Sequence, residues 1–400
     1  MAIAFYWASI ALCALVFVLA LDIMGLFSRT NRFDVDGRTV LITGGSQGMG
    51  RGLGKLLAQK GANVVIVART QKKLDEAVQY ISAAAKHGDR QRFLAISADV
   101  SKHEENQRVV DEVTAWNNGH PPDVVWANAG TAQPMLLLDA SIELLRQQMD
   151  VNYFAAAYLA QSTLREWVKP AGIKSNTASP GASQKPRHFI VTSSVACFAG
   201  FAGYAPYAPP KSAMRSLADT LRSEMNLYNG ARKKDPANAP PAEIKIHCVC
   251  PGTITSPGYD NEQKTKHPVT KILEEGDIVQ TEDQVAAAAV RGLESGGYLI
   301  TTQVLGHAMR VSALGGSPRN NWFVDTVFGW VVAVAWLFIG PDMEGKVYNY
   351  GKKHGMASGR GLREHEMDER RRDGSRHFWF ITWYRCLNDS YEYGGKAELD

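Results

Sequence analysis

Thr43-Gly44-Gly45-Ser46-Gln47-Gly48-Met49-Gly50-Arg51 joins a β-branched run at 39–43 to a helical pattern that lasts until Lys60. Glycines at such a turn let the backbone pass close to a pyrophosphate and let the helix pack against the sheet. The positive helix N-terminus then faces the phosphate charge. The spacing is G-x-x-x-G-x-G, a variant of the commoner G-x-G-x-x-G fingerprint. Turns use glycine for its backbone freedom anyway, so the turn alone says little. Its place between strand and helix is what makes it a dinucleotide site.

Outward from this turn, residues 38–302 alternate short β-branched runs with helical patterns. Strands are expected at 39–43, 63–67, 93–98, 124–127, 189–192, 244–249 and 298–301. Their apolar continuity suits strands covered on both faces. The fold class predicted is α/β, a Rossmann-type doubly wound parallel sheet of about seven strands, with its domain at 36–305. Two polar stretches, 169–185 and 229–241, read as surface insertions before the fifth and sixth strands.

The acid that would hold a ribose 2′-hydroxyl about 20 residues after the glycine turn is missing. The second strand ends instead in Arg69, with Lys72 and Lys73 behind it. A guanidinium there suits a 2′-phosphate through a charge-assisted contact, so the cofactor expected is NADPH. Asp99-Val100 ends the third strand, where the carboxylate can accept from an adenine amino group. Asn128-Ala129-Gly130 ends the fourth, beside the adenine ribose.

Tyr207 and Lys211 stand four residues apart, on one face of a helix. A nearby ammonium stabilises phenolate and would lower the tyrosine pKa towards neutrality, which makes a proton donor. Ser193 and Ser194 end the fifth strand just upstream, and a serine hydroxyl on that edge can bond the same substrate oxygen. Tyr204 is set aside, because position 208 is alanine rather than lysine. Two prolines, Pro209 and Pro210, stand between tyrosine and lysine. Proline is tolerated in a helix's first turn but biases the residue before it away from helix. A helix starting later would part the pair.

With these motifs in order, the chain resembles the short-chain dehydrogenases/reductases. The cofactor turn, the Asn128-Ala129-Gly130 motif, Asp150-Val151-Asn152, Ser194 thirteen residues before Tyr207, and Pro251-Gly252 with Thr255 and Ser256 carry the resemblance. It implies a catalytic set of Asn152, Ser194, Tyr207 and Lys211, with Asn152 holding a proton-relay water. It implies NADPH contacts from Gly44, Ser46, Gln47, Gly48, Gly50, Arg69, Lys73, Asp99, Val100, Asn128, Tyr207, Lys211, Ile254 and Ser256.

A narrower resemblance rests on the G-G-S-x-G turn, Arg69 with Lys73, and the stretch Thr255-Ser256-Pro257-Gly258-Tyr259 followed by Glu262, Lys266, Pro268 and Glu274. These are similar to the substrate-side loop and cofactor motifs of 3-ketodihydrosphingosine reductases. That group implies a long-chain keto sphingoid base as substrate, at the cytosolic face of the endoplasmic reticulum. Residues 253–277 would form a lid over its head group. The resemblance also implies a homodimer. Two rival readings are a membrane-bound reductase of a steroid, retinoid or other lipid ketone, and a catalytically inactive NADPH-binding scaffold.

Both ends of the chain point to lipid. Residues 2–21 are uncharged and almost wholly apolar, enough for a helix of roughly 30 Å. No Lys or Arg precedes them and the run is longer than a usual signal-peptide core, so they read as a retained anchor at 1–27, the alternatives being a buried core helix or a signal peptide with its cleavage site at Val18-Leu19-Ala20. Arg29, Arg32 and Arg38 after it place the domain on the cytosolic side. A second apolar stretch at 322–339, within a membrane-associated segment at 306–355, contains Asp325 near its start. Its uninterrupted part is short for a full span, leaving a tilted crossing, an interfacial helix or a re-entrant hairpin. The tail at 356–400 is charge-rich and carries the aromatic patch 378–384, an interfacial anchor or a poorly ordered end.

Composition narrows the field further. With 44 basic and 40 acidic residues the charges nearly cancel, so nucleic acid is not an expected partner. Among the five cysteines, Cys248 and Cys250 alternate along an expected strand without partners at metal-ligand spacing. They read as reduced, buried hydrophobes, and no metal is expected.

Overall fold

The computed structural model describes residues 30–170 and 184–355. The expected anchor at 1–27, the tail at 356–400 and most of the polar stretch at 169–185 lie outside the described residues.

Seven strands form one parallel sheet in the order β3-β2-β1-β4-β5-β6-β7. They are β1 (Thr39–Thr43), β2 (Asn63–Ala68), β3 (Phe93–Ser97), β4 (Val124–Ala127), β5 (Gln184–Thr192), β6 (Ala242–Cys250) and β7 (Leu299–Thr301). Alternation along β1 shows why both faces are covered. Val40 and Ile42 pack on one face with Leu53 and Leu57 of α1 (Gly48–Gln59), Leu74 and Ile81 of α2 (Gln71–Ser82), and Val285 and Val290 of α9 (Glu282–Glu294). Leu41 packs on the other with Val109 and Val113 of α3 (His103–Trp116), Leu159 and Leu164 of α5 (Ala155–Trp167), and Met214 and Ala218 of α6 (Ala208–Lys234). Strand order reverses between β1 and β4, and the carboxyl ends of those strands open the crevice where such sheets bind ligands.

Two strands, β5 and β6, are longer than the sequence suggested, β6 running Ala242–Cys250 rather than 244–249. β5 begins at Gln184 rather than 189, because Lys185-Pro186-Arg187-His188 looks like a loop by composition. His188 is nevertheless buried, bonded through Nδ1 to His247 Nε2 at 3.0 Å. The ladder shifts register between Gln184 and Arg187, which accommodates Pro186. The stretch at 229–241 is also not wholly an insertion. α6 runs on to Lys234, closing with Arg232, Lys233 and Lys234 where the helix dipole favours cations.

The lid region is helical rather than an open loop. It contains α7 (Pro257–Thr265), capped by Ser256 Oγ accepting from Tyr259 N at 3.2 Å, and α8 (Pro268–Leu273). A short α4 (Ile142–Gln148) runs into a π-helical turn, Met149–Phe154, before α5.

After β7 come α10 (Val304–Ser312) and α11 (Trp322–His354), 33 residues that form one continuous helix and no re-entrant hairpin. The expected boundary at 305/306 falls inside α10, whose Met309 and Val311 are buried. By length and composition α11 is able to cross a membrane, and it is mostly unburied by the rest of the described chain. Trp322, Phe323, Trp330, Val334, Leu337 and Phe338 are exposed on it. Asp325, the charge that interrupts the apolar stretch, pairs with Arg310 in a bidentate contact, Nη2–Oδ1 2.5 Å and Nη1–Oδ2 2.9 Å. Both side chains are essentially fully buried. Breaking such a pair by removing one partner costs about 3–5 kcal/mol, so this contact fixes the start of α11 to α10 and the sheet domain.

Candidate active site

A cavity of about 1420 Å³ opens along the carboxyl edge of the sheet. Its lining collects residues from every strand end the sequence singled out. Gly44, Ser46, Gln47 and Gly48 come from the β1–α1 turn, Arg69 follows β2 and Lys73 lies in α2, Asp99 and Val100 follow β3, and Asn128 follows β4. Ser194 follows β5, Tyr207 and Lys211 open α6, and Ile254 and Ser256 follow β6. Gly50 and Asn152 do not line it; both stand behind its wall.

The turn is shaped by what its glycines lack. Gly44 and Gly48 have φ of +68° and +54°, the left-handed region. A Cβ on Gly50 would lie 2.1 Å from the Gly44 carbonyl oxygen and 2.8 Å from Asn128 Nδ2. Helix α1 can therefore close on the turn only with glycine there. Thr43 Oγ1 accepts from the N–H groups of Asn128 and Ala129, each at 3.1 Å, and locks the ends of β1 and β4 together. The N-cap of α1, Gln47, caps no backbone N–H, and no acidic side chain occupies the first turn. Donors and dipole are thus left for an anion, and the residues present fit a dinucleotide pyrophosphate. Beside them, Asp99 is held below the usual carboxylate range. Burial works against this but is outweighed by the Ser101 hydroxyl and N–H and by the Arg69 charge.

The chemical end is built at the start of α6. Tyr207 is its N-cap residue in right-handed helical geometry, and its carbonyl accepts from Lys211 N at 3.3 Å. Pro209 and Pro210 occupy the first turn, whose N–H groups have no intrahelical acceptor, so the prolines cost the helix nothing. Tyrosine and lysine share a face, with Lys211 Nζ 5.6 Å from the centre of the Tyr207 ring. Nζ itself donates to the Thr192 carbonyl at 3.1 Å, and Ser193 Oγ donates to the Lys211 carbonyl at 2.7 Å. Burial brings Lys211 down to about 8.

One expectation is corrected here. In the chain by itself Tyr207 is not drawn towards neutrality. Burial pushes its pKa up, the Glu262 charge adds to that, and only the Ser194 hydroxyl pulls it down.

Asn152 sits fully buried in the π-helical turn. Its Oδ1 accepts from Thr131 N at 3.2 Å, and its Nδ2 donates to the carbonyls of Thr131 at 3.0 Å and Gln148 at 2.9 Å. Gly130 separates it from the lysine. A Cβ there would meet Asn152 Oδ1 at 2.7 Å and Lys211 Nζ at 3.2 Å.

Sequence reasoning missed Tyr204, because it asked only for a lysine four residues on. The structure puts Tyr204 in the cavity wall, its ring 5.8 Å from that of Tyr207. Its hydroxyl donates to Glu262 Oε1 at 3.0 Å and also bonds Glu274. Buried Lys266 joins the group, 2.6 Å from Glu274 Oε2 and 3.2 Å from Glu262 Oε1. The far wall is apolar and comes from α11, through Phe328, Val332, Ala335, Trp336 and Ile339. The resemblance already singles out Glu262, Lys266 and Glu274 in 259–277; the tyrosine they hold is the part that residue spacing does not find.

A seven-stranded parallel sheet with this glycine turn, and with serine, tyrosine and lysine gathered at its carboxyl edge, defines an oxidoreductase that binds a nicotinamide cofactor. The chain belongs to the short-chain dehydrogenase family, whose profile matches residues 38–267. It is 46% identical over 354 residues to the 3-ketodihydrosphingosine reductase ksrA of Aspergillus fumigatus, covering 88% of this chain and 94% of that one. It is 41% identical over 333 residues to the 3-ketodihydrosphingosine reductase gsl-3 of Neurospora crassa, covering 83% and 87%. Among solved structures it shares its fold with a short-chain type dehydrogenase/reductase from Mycobacterium ulcerans. The TM-score is 0.52 at 22% identity, over 67% of this chain and 89% of that one.

Proposed function

We propose that this protein reduces the keto group of 3-ketodihydrosphingosine to the alcohol of dihydrosphingosine, with NADPH as reductant, at the cytosolic face of the endoplasmic reticulum membrane. One observation carries the reading: a single cavity is lined both by Tyr207 and Ser194 and by the apolar face of α11. A ketone with one long hydrocarbon chain fits such a space, its head at the hydroxyls and its tail along a helix able to lie in lipid. The names of the two fungal relatives support the same substrate.

The β1–α1 turn would hold the pyrophosphate, Arg69 and Lys73 the 2′-phosphate, Asp99 and Asn128 the adenosine half, and Lys211 the nicotinamide ribose. Ile254 and Ser256 would lie against the nicotinamide. When bound, the cofactor supplies a hydride to the keto carbon. Ser194 then donates a hydrogen bond to the ketone oxygen as negative charge grows there, and Tyr207 delivers the proton that completes the alcohol. The raised pKa of Tyr207 keeps the phenol protonated before the reaction. A positive ammonium at Lys211 favours the phenolate left afterwards. Asn152 Oδ1 and Lys211 Nζ both lie close to Gly130, and a water bridging such polar groups would return the proton.

The test is NADPH consumption by detergent-solubilised full-length protein offered 3-ketodihydrosphingosine, a ketosteroid and retinal separately. Oxidation with the sphingoid ketone, and much less with NADH, is the expected result. Turnover with a steroid or retinal alone would overturn the substrate, and silence with all three would overturn the enzyme.

A further inference from the structure

The cavity is unevenly charged. Its cofactor end carries Arg69 and Lys73 with Asp99. The rest of the lining carries Glu262, Glu274, Glu275, Asp277 and Asp342 against Lys211 and Lys346, the latter already paired with Asp342 at 2.8 Å; Glu262 and Glu274 reach Tyr204, whose ring lies beside that of Tyr207. A neutral lipid ketone gains nothing from carboxylates at the reacting end, and their desolvation would cost binding energy. The sphingoid ketone differs from neutral lipid ketones in one respect that matters here, an amine on the carbon next to the keto group.

We infer that Glu262, held by Tyr204 and Lys266, accepts the substrate's ammonium and selects ketones that carry a cationic amine on the adjacent carbon. This deepens the sphingoid reading and rests on it. The geometry carries the assignment. Glu262 Oε1 is taken by Tyr204 and Lys266, while Oε2 has no hydrogen-bond partner among the described residues. Glu274 is occupied on both oxygens, Oε1 by Tyr204 and Oε2 by Lys266. The two carboxylates share one buried ammonium, so the group keeps a net negative charge inside the cavity. Tyr204 connects it to the reacting end, since its ring packs beside that of Tyr207. Lys266 and Glu274 are positioning residues, which fix the Glu262 carboxylate without touching the ligand.

A consequence for catalysis follows. The Glu262 charge is the second cause, after burial, of the raised pKa of Tyr207. An ammonium bound at Glu262 neutralises that charge. A cationic substrate therefore makes Tyr207 a stronger acid as it binds, which a neutral ketone cannot do.

The experiment compares 3-ketodihydrosphingosine with its N-acetyl derivative, neutral at the same position, using the full-length protein in detergent. The readout is the ratio of kcat/KM for the amine over the amide. Wild type should prefer the amine at least about tenfold, Glu262→Asp should keep the preference, and Glu262→Gln should abolish it, chiefly through KM, with NADPH binding by fluorescence retained. Should Glu262→Gln fall equally on both ketones, or keep the wild-type ratio, the assignment is overturned. Loss of NADPH binding in Glu262→Gln would mark a folding role; Tyr204→Phe, which leaves the charge but frees its orientation, then decides by whether the ratio drops. Wild type active on neither ketone would overturn the sphingoid reading itself, whereas equal wild-type activity on both overturns only the role given to Glu262.

Discussion

Lys211 Nζ stands 5.6 Å from the centre of the Tyr207 ring and gives its hydrogen bond to the Thr192 carbonyl at 3.1 Å. The ammonium is thus held from the main chain of β5, at a fixed distance from the phenol, and its own proton is loosened by burial. These two facts set the pH behaviour of the site.

With its free-state pKa at about 8, Lys211 loses its charge within an accessible range. A bound ribose that prefers the ammonium must raise that pKa, so NADPH affinity should be flat below pH 8. Above it, affinity should fall by up to about tenfold per pH unit. The stability of the free chain runs the opposite way. A lysine depressed from 10.5 costs stability below about 8, and the cost is relieved as pH climbs to 10.5. Titrating NADPH by fluorescence from pH 6 to 10 checks the first part, and Lys211→Met should remove the slope.

Tyr207→Phe removes the proton donor and little else, since the ring remains packed beside Tyr204. Turnover should drop by roughly 10²–10⁴-fold while NADPH binding persists. Activity near wild type would mean the proton comes from another group.

Gly50→Ala tests the turn from behind. The new Cβ would meet a backbone carbonyl at 2.1 Å, an atom no rotamer change can move. The variant should lose about 1–3 kcal/mol of stability by denaturant titration, and NADPH affinity should fall more than tenfold.

Arg69→Ala should raise the KM for NADPH by about 10–100-fold and leave that for NADH nearly unchanged, the size expected for a charge-assisted contact to phosphate. A parallel loss for both cofactors would assign Arg69 to the fold.

Much of this was legible in residue order. The glycine turn, the strand ends and the Ser194–Tyr207–Lys211 spacing are local patterns, and the bounds of β1 and β4 match their β-branched runs. What was hidden depends on distant partners. The strand character of Lys185-Pro186-Arg187-His188 comes from its ladder with β6 and from the His188–His247 contact. Asp325 looked like a break in an apolar segment until Arg310 was seen to pair with it. Tyr204 lacked a lysine four residues on, and its partners lie about 60 to 70 residues away in the lid. A spacing rule cannot find a residue whose role is fixed by another element's return to the site.

The most direct test of the central claim is isotopic. Full-length protein is supplied with NADPH deuterated at the transferable C4 position and with 3-ketodihydrosphingosine, and the product is analysed by mass spectrometry. The account predicts dihydrosphingosine carrying one deuterium on C3, at a rate that collapses in Tyr207→Phe. Unlabelled product, label elsewhere in the molecule, or a rate indifferent to Tyr207 would contradict it.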